Sequence, residues 1–318
     1  MTDAVAAGGL TAVGGPAGGP VGGAGGGDAD KPRGLFDDAW RELRGRPLFW
    51  VSVALILLVV LMAAVPQLFT SADPTLAQLS RSRQGPSAAA WFGYDNQGYD
   101  IYARVIHGAR ATIVVGLLAT VGVVLFGASL GLLAGFYGGW LDAVVSRIAD
   151  IFVGVPFVLG AIVILTTLNA GGGAGAARIV AQVVLSISVL SWPVSMRIMR
   201  STAIAAKQQD YVKAARSLGA GTGRIITKHL LPNCVAPVLV YSTIALGAFV
   251  GAEATLSYLG IGLRPPVVSW GVMISAAKDY IRVAPHALLF PAGFLTATVL
   301  AFVMLGDAVR EALDPKLR

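Results

Sequence analysis

The stretch 48–65 contains no charged residue and is bracketed by Pro47 and Pro66. As a helix its roughly 18 residues reach about 27 Å, close to the thickness of a bilayer's hydrocarbon core. Five further apolar runs follow, at 111–136, 149–168, 179–196, 235–256 and 287–305. Lipid offers no partner for backbone N–H and C=O groups, so runs of this length are predicted to be helices. Only 13% of the 318 residues are charged, about half the share of a soluble domain, and the mean hydropathy is +0.72. The expected fold class is therefore an all-α integral membrane protein with about six transmembrane helices.

The chain carries a formal net charge of +7. With the N-terminus inside and six crossings, Lys and Arg fall two to one on the inner side, which predicts cytoplasmic N- and C-termini. Orientation thus accounts for the basic excess without nucleic acid as a partner. Residues 1–32 are dominated by Gly, Ala, Pro and Val and are expected to be a disordered cytoplasmic tail. The first apolar run begins well after the start, so the first helix reads as an uncleaved anchor. Residues 33–110 form an N-terminal region with the first span and an external segment, 111–307 a five-helix transmembrane domain, and 308–318 a cytoplasmic tail.

Several kinds of chemistry find no support. Cys234 is the single cysteine, which excludes an internal disulfide, and His107, His229 and His286 have no metal-ligand spacing, so no metal is expected. No Gly-Lys pair occurs anywhere, so there is no phosphate-binding loop for ATP.

The second span carries Gly116, Gly122, Gly127, Gly131 and Gly135 at near-helical spacing, a surface that lets a neighbouring backbone approach closely. Pro156 and Pro193 imply kinks in the third and fourth spans. Arg147 and Asp150 read as a local pair one turn apart. Glu253 lies in or near the fifth span, where a carboxylate is costly; it is either a pathway residue or half of a salt bridge at the outer interface.

The polar loop 197–233 carries the most information. Asp210 is expected to cap a short helix that stops at Gly219, and Thr222 to cap a second that ends before Pro232. Ala214 and Ala215 give the first helix a small face, while Lys213 and Arg216 point to polar surroundings. By spacing alone this is equally a docking knob for a protein partner or an amphipathic loop resting on headgroups.

The order Ala214, Ala215, Gly219, Leu231, Pro232, Asn233 resembles the cytoplasmic loop motif, named for its Glu-Ala-Ala start, of permease subunits of binding-protein-dependent ABC importers. The resemblance extends from about Trp91 to the C-terminus. It is carried also by Gly93, Asp95, Asp100 and Arg104, by Asp142 and Asp150, by Glu253, Leu256 and Gly262, by Trp270, and by Asp307 and Asp314. It is closest to the C-type permeases of the dipeptide and oligopeptide branch. The chain departs from the pattern at Lys213, where Glu is usual, and at Tyr94 and Tyr99, where Thr and Arg are usual.

The resemblance implies a type I ABC importer transmembrane fold in a bacterial cell membrane. It implies a transport subunit, not an enzyme, forming half of a pathway for di- or oligopeptides, with nickel complexes, glutathione or haem as alternative cargo. Its implied partners are a second homologous permease, ATP-binding subunits that use ATP and Mg, and an extracytoplasmic binding protein. Tyr211, Lys213, Ala214, Ala215, Arg216, Gly219, Leu231, Pro232 and Asn233 become the ATPase-coupling residues. Asp95, Asp100 and Trp270 become candidates facing the binding protein, and Glu253 the pathway candidate. An ion-coupled secondary transporter would call for paired broken helices in two halves, and no internal repeat is found.

Overall fold

The computed structural model describes residues 35–169 and 175–313. The expected tail at 1–32, most of the Gly-rich link after the third span, and residues 314–318 lie outside them. The described chain is helical, with two isolated β-bridges in the segment before the second span.

A short amphipathic helix, α1 (Leu35–Arg44), leads into α2 (Pro47–Ala64), whose first position is the proline that tolerates having no N–H there. After a polar segment come α3 (Ile101–Tyr137), α4 (Gly139–Gly154), α5 (Phe157–Asn169) and α6 (Ala176–Ala206). Then follow α7 (Asp210–Ser217), α8 (Thr222–Arg224), a π-helical turn Ile225–Leu230, α9 (Leu231–Tyr258), α10 (Trp270–Ala277) and α11 (His286–Ala312).

Among the described residues five helices are long and apolar enough to cross a bilayer, and the remaining expected span is the pair α4 and α5, bent by 95°. A single helix over 149–168 is therefore corrected: Pro156 sits in the gap, and the residue before a proline is driven to extended geometry, here Val155 with φ −83° and ψ 121°. α2 keeps the length of its apolar run, and the other spanning helices outrun theirs. The second spans 101–137 rather than 111–136 because Asp100 caps it ten residues earlier, its carboxylate accepting the Ala103 N–H at 3.0 Å. The last runs on to Ala312, so the expected tail at 308–318 begins as helix.

Pro232 does not end a helix. Residues Thr222–Tyr258 form one continuous helical element of 37 residues. Proline lacks an N–H and crowds the carbonyl four residues back. The chain meets this by widening to π geometry over Ile225–Leu230, with Pro232 in the first turn that follows.

α3 packs most extensively against α6 and also against α2 and α9, placing it at the centre of the bundle. The predicted glycine surface is the α3–α6 seam. A Cβ at Gly127 would lie 2.5 Å from the Trp192 carbonyl oxygen, and one at Gly135 2.8 Å from that of Arg200. Below the seam, Arg200 Nη2 donates to Asp142 Oδ2 at 2.6 Å and its Nε to Oδ1, tying α6 to the first turn of α4. Asp150 answers Arg197 at 2.7 Å, a closer partner than Arg147 at 3.7 Å.

Candidate functional site

Helix α7 stands at one end of the bundle, held by a single buried side chain. Val212 is 1% exposed and packs with Met199, Ala203, Ile225, Leu230 and Cys234. The positions expected to cap are each one residue off. Gln209 and Gly221, both extended, precede the two helices, and Asp210 and Thr222 are first helical residues. Asp210 instead accepts from Lys213 Nζ at 3.0 Å, so the capping box that Glu would complete is replaced by an i, i+3 ion pair.

Gly219 ends α7 as expected, with φ +79°. The Ala220 N–H donates to the Ala215 carbonyl and the Gly219 N–H to that of Arg216, both at 3.0 Å. That pairing is a Schellman stop, which requires the left-handed residue that glycine supplies without strain.

With Val212 turned inward, α7 presents an apolar flank of Tyr211, Ala214, Ala215 and Leu218 at i, i+3, i+4 and i+7, exposed except for the half-buried Ala215. Leu218 is 89% exposed. Lys213 and Arg216 form the other flank. Partial burial raises the Tyr211 phenol above its ordinary value. Leu231, Pro232 and Asn233 are exposed at the start of α9, where Asn233 Nδ2 donates to the His229 carbonyl at 2.7 Å.

The candidates at the opposite end are organised differently from expectation. Trp270 is completely buried, its indole N–H donating to the Val105 carbonyl at 2.8 Å, so it offers no surface to a partner. Asp95 is consumed internally: Oδ1 accepts the N–H groups of Gln97 and Tyr99, and Oδ2 accepts from Arg104 at 3.0 Å. Arg104 in turn lies 4.3 Å over the Tyr99 ring. Asp100 is the α3 cap. Trp270 thus has no exposed surface, while Asp95 and Asp100 are half-buried and shape the segment, Asp100 through its Oδ1 alone. Trp91, 66% exposed, is turned outward on that segment together with Leu76 and Leu79.

Glu253 is fully buried. Its Oε1 accepts from Ser257 Oγ at 2.7 Å and Ser269 Oγ at 3.0 Å, and Oε2 has no partner. Among the described residues no Lys or Arg pairs with it, so two hydroxyls stand where a salt bridge was one expectation. Ser257 also accepts the Leu263 N–H at 2.9 Å, and the Trp270 N–H reaches Thr112 Oγ1 at 3.4 Å. The carboxylate thereby fastens the loop after α9 and the start of α10 to the bundle. Ser257 was findable one turn from Glu253; Ser269, Thr112 and the Asp142–Arg200 pair carry no local signal.

Among the described residues, long apolar helices with the short helix α7 between two of them are the framework of a multi-pass membrane protein. Residues 127–318 match the family described as binding-protein-dependent transport system inner membrane component, and residues 34–86 the N-terminal transmembrane domain of oligopeptide transport permease C. The chain belongs to this family of ABC importer permeases, multi-pass proteins of the bacterial membrane. It is similar to the dipeptide transport system permease protein of Alkalihalophilus pseudofirmus, 37% identical over 88% of this chain and 90% of that one. It is 36% identical to the oligopeptide permease of Bacillus subtilis over 92% and 94% of the two chains. The glutathione transport system permease of Pectobacterium atrosepticum is also 36% identical, over 88% and 92%. In fold it resembles a chain of the MetNI methionine ABC transporter, with a TM-score of 0.54 at 20% identity over 66% of this chain and 96% of that one.

Proposed function

We propose that this chain forms half of the transmembrane pathway of an importer for di- or oligopeptides and that α7 is its contact with an ATP-binding subunit. The observation that carries the docking role is the flank of exposed Tyr211, Ala214 and Leu218 with half-buried Ala215 on a helix anchored through Val212. Apolar side chains left in water at one end of a folded domain mark a protein contact. In this reading Tyr211, Lys213, Ala214, Ala215, Arg216 and Gly219 meet the ATPase, with Leu231, Pro232 and Asn233 bordering the contact, and the α7 end is cytoplasmic.

The mechanism follows from connectivity. ATP and Mg are used by the partner, whose closure moves α7. Through Val212 that motion acts on the element Thr222–Tyr258, which at 1.5 Å per residue is about 55 Å long and crosses the whole bilayer. Its far end holds Glu253, which grips the loop before α10, so displacement at one face reaches the other along one continuous helical element. Such rigid-body motion alternates access to the pathway. A second homologous permease completes the channel, and an extracytoplasmic binding protein delivers cargo at the Trp91 end. Relatives named for dipeptides and oligopeptides support peptide cargo, and those named for glutathione make that tripeptide the second reading.

The test is reconstitution with the partner subunits in vesicles. ATP-dependent uptake of a labelled dipeptide that depends on the ATP-binding subunit and is lost in Leu218→Asp supports the assignment. Uptake driven by an ion gradient through this chain alone would overturn it. Competition by glutathione separates the two cargo readings.

A further inference from the structure

The inference rests on the docking role proposed for α7 and concerns the chemistry of the surface that receives it. The flank bearing Lys213 and Arg216 opens onto a cleft of about 600 Å3 whose remaining walls are Phe136, Lys207 and Gln208. Lys207 Nζ donates to the Gly135 carbonyl at 2.7 Å and the Phe136 carbonyl at 3.4 Å, so it is held at the C-terminal end of α3, where a cation is favoured. Arg224 and Lys228 stand exposed just beyond α7.

Acids that could neutralise this surface are few and occupied. Between positions 207 and 233 the sequence holds five Lys or Arg against one acid, Asp210, which pairs with Lys213. Asp142 is taken by two guanidinium nitrogens of Arg200, Nε and Nη2. Among the described residues Lys207 and Arg216 have no carboxylate partner. Lys213 also reverses the charge expected at its position.

We propose that the ATP-binding subunit seated on α7 lines this cleft with carboxylates. Its groove is then apolar against Tyr211 and Leu218 and acidic against Lys213 and Arg216. An anionic lipid surface would supply the same sign of charge. The opposite flank argues for protein: two of its four residues are alanines, which give a bilayer little area to hold but let a second backbone come close. Acid placed there also selects a cognate ATPase over one whose groove suits a Glu at position 213.

The experiment measures binding of the cognate ATP-binding subunit to the full permease pair in nanodiscs, at low and high salt, in neutral and anionic lipid. The double variant Lys213→Glu with Arg216→Glu is expected to weaken binding about tenfold or more at about 0.1 M salt and to flatten its salt dependence. The neutral pair Lys213→Gln with Arg216→Gln is expected to fall between, with the permease pair still eluting as one species. Leu218→Asp serves as the docking control. Loss of binding in Leu218→Asp with no effect of either charge variant overturns the acidic groove and leaves docking standing. No loss in Leu218→Asp overturns docking itself. A charge effect that appears only in anionic lipid assigns the cleft to headgroups and overturns the proposal.

Discussion

Ser269 Oγ lies 3.0 Å from Glu253 Oε1, so a residue at the head of α10 is bonded to one inside α9, across a loop that neither helix controls alone. Ser269 is at the same time the N-cap of α10, accepting the Val272 N–H at 3.3 Å. One hydroxyl therefore sets both the start of a helix and its seat on the bundle.

Replacing Glu253 by Ala leaves the Ser257 and Ser269 hydroxyls without their acceptor in a buried site. A loss of about 2–4 kcal/mol is expected, from the orphaned hydroxyls and the cavity together. Glu253→Gln keeps the accepting oxygen and should retain most of that stability. Thermal unfolding of the purified permease in detergent reads the difference; equal losses in both variants would show that the carboxylate itself, not its role as acceptor, is what matters.

Along the α3–α6 seam, enlarging Gly127 or Gly131 forces the helices apart, since an added Cβ meets the backbone around Trp192 and Met196 directly. Gly127→Val or Gly131→Val is expected to cost about 1–3 kcal/mol each and to lower the yield of folded protein. Gly251, with nothing within 4 Å of its added Cβ, is the matched control, and Gly251→Ala should be silent.

The Arg200–Asp142 pair is only part-buried, with side chains 34% and 19% exposed. Its two-pronged geometry nevertheless makes it worth more than a surface ion pair. A double-mutant cycle with Arg200→Ala and Asp142→Ala should return a coupling of about 1–2 kcal/mol after allowance for solvent screening. Arg200→Lys keeps the charge and loses one prong, so it should recover about half of it.

On α7 the two faces should separate cleanly. Val212→Ala loosens the anchor, at about 1–2 kcal/mol locally, and lowers coupling while the apolar flank stays intact. Ala215→Trp leaves the fold alone and blocks close approach, so release of the ATPase with an unchanged melting temperature is the expected pattern. Gly219→Val does both, since a β-branched residue at φ +79° is strained by roughly 1–2 kcal/mol.

The spans were legible because lipid imposes one rule on every backbone group, and six apolar runs obey it. What hydropathy could not place are ends set by polar groups, as Asp100 sets the start of α3; at Pro156 the kink was legible, but its 95° size was not, since that depends on what α4 and α5 pack against. Pro232 misled for a physical reason: the rule that a helix stops before proline holds for α geometry, and a π turn relaxes it. At the site, Gly219 and the small flank of α7 could be read from local chemistry. Trp270 and Asp95 could not, because exposure is decided by residues far away in sequence, such as Val105 and Arg104.

The π turn at Ile225–Leu230 has a consequence for register. A π turn winds one residue more into nearly the rotation and rise that a regular helix covers with one fewer. The extra residue is therefore absorbed where it stands, and Val238, Phe249 and Glu253 beyond it keep the azimuth of a regular helix. The turn thus acts as a local slack, taking up a residue in the loop without turning what meets the bundle.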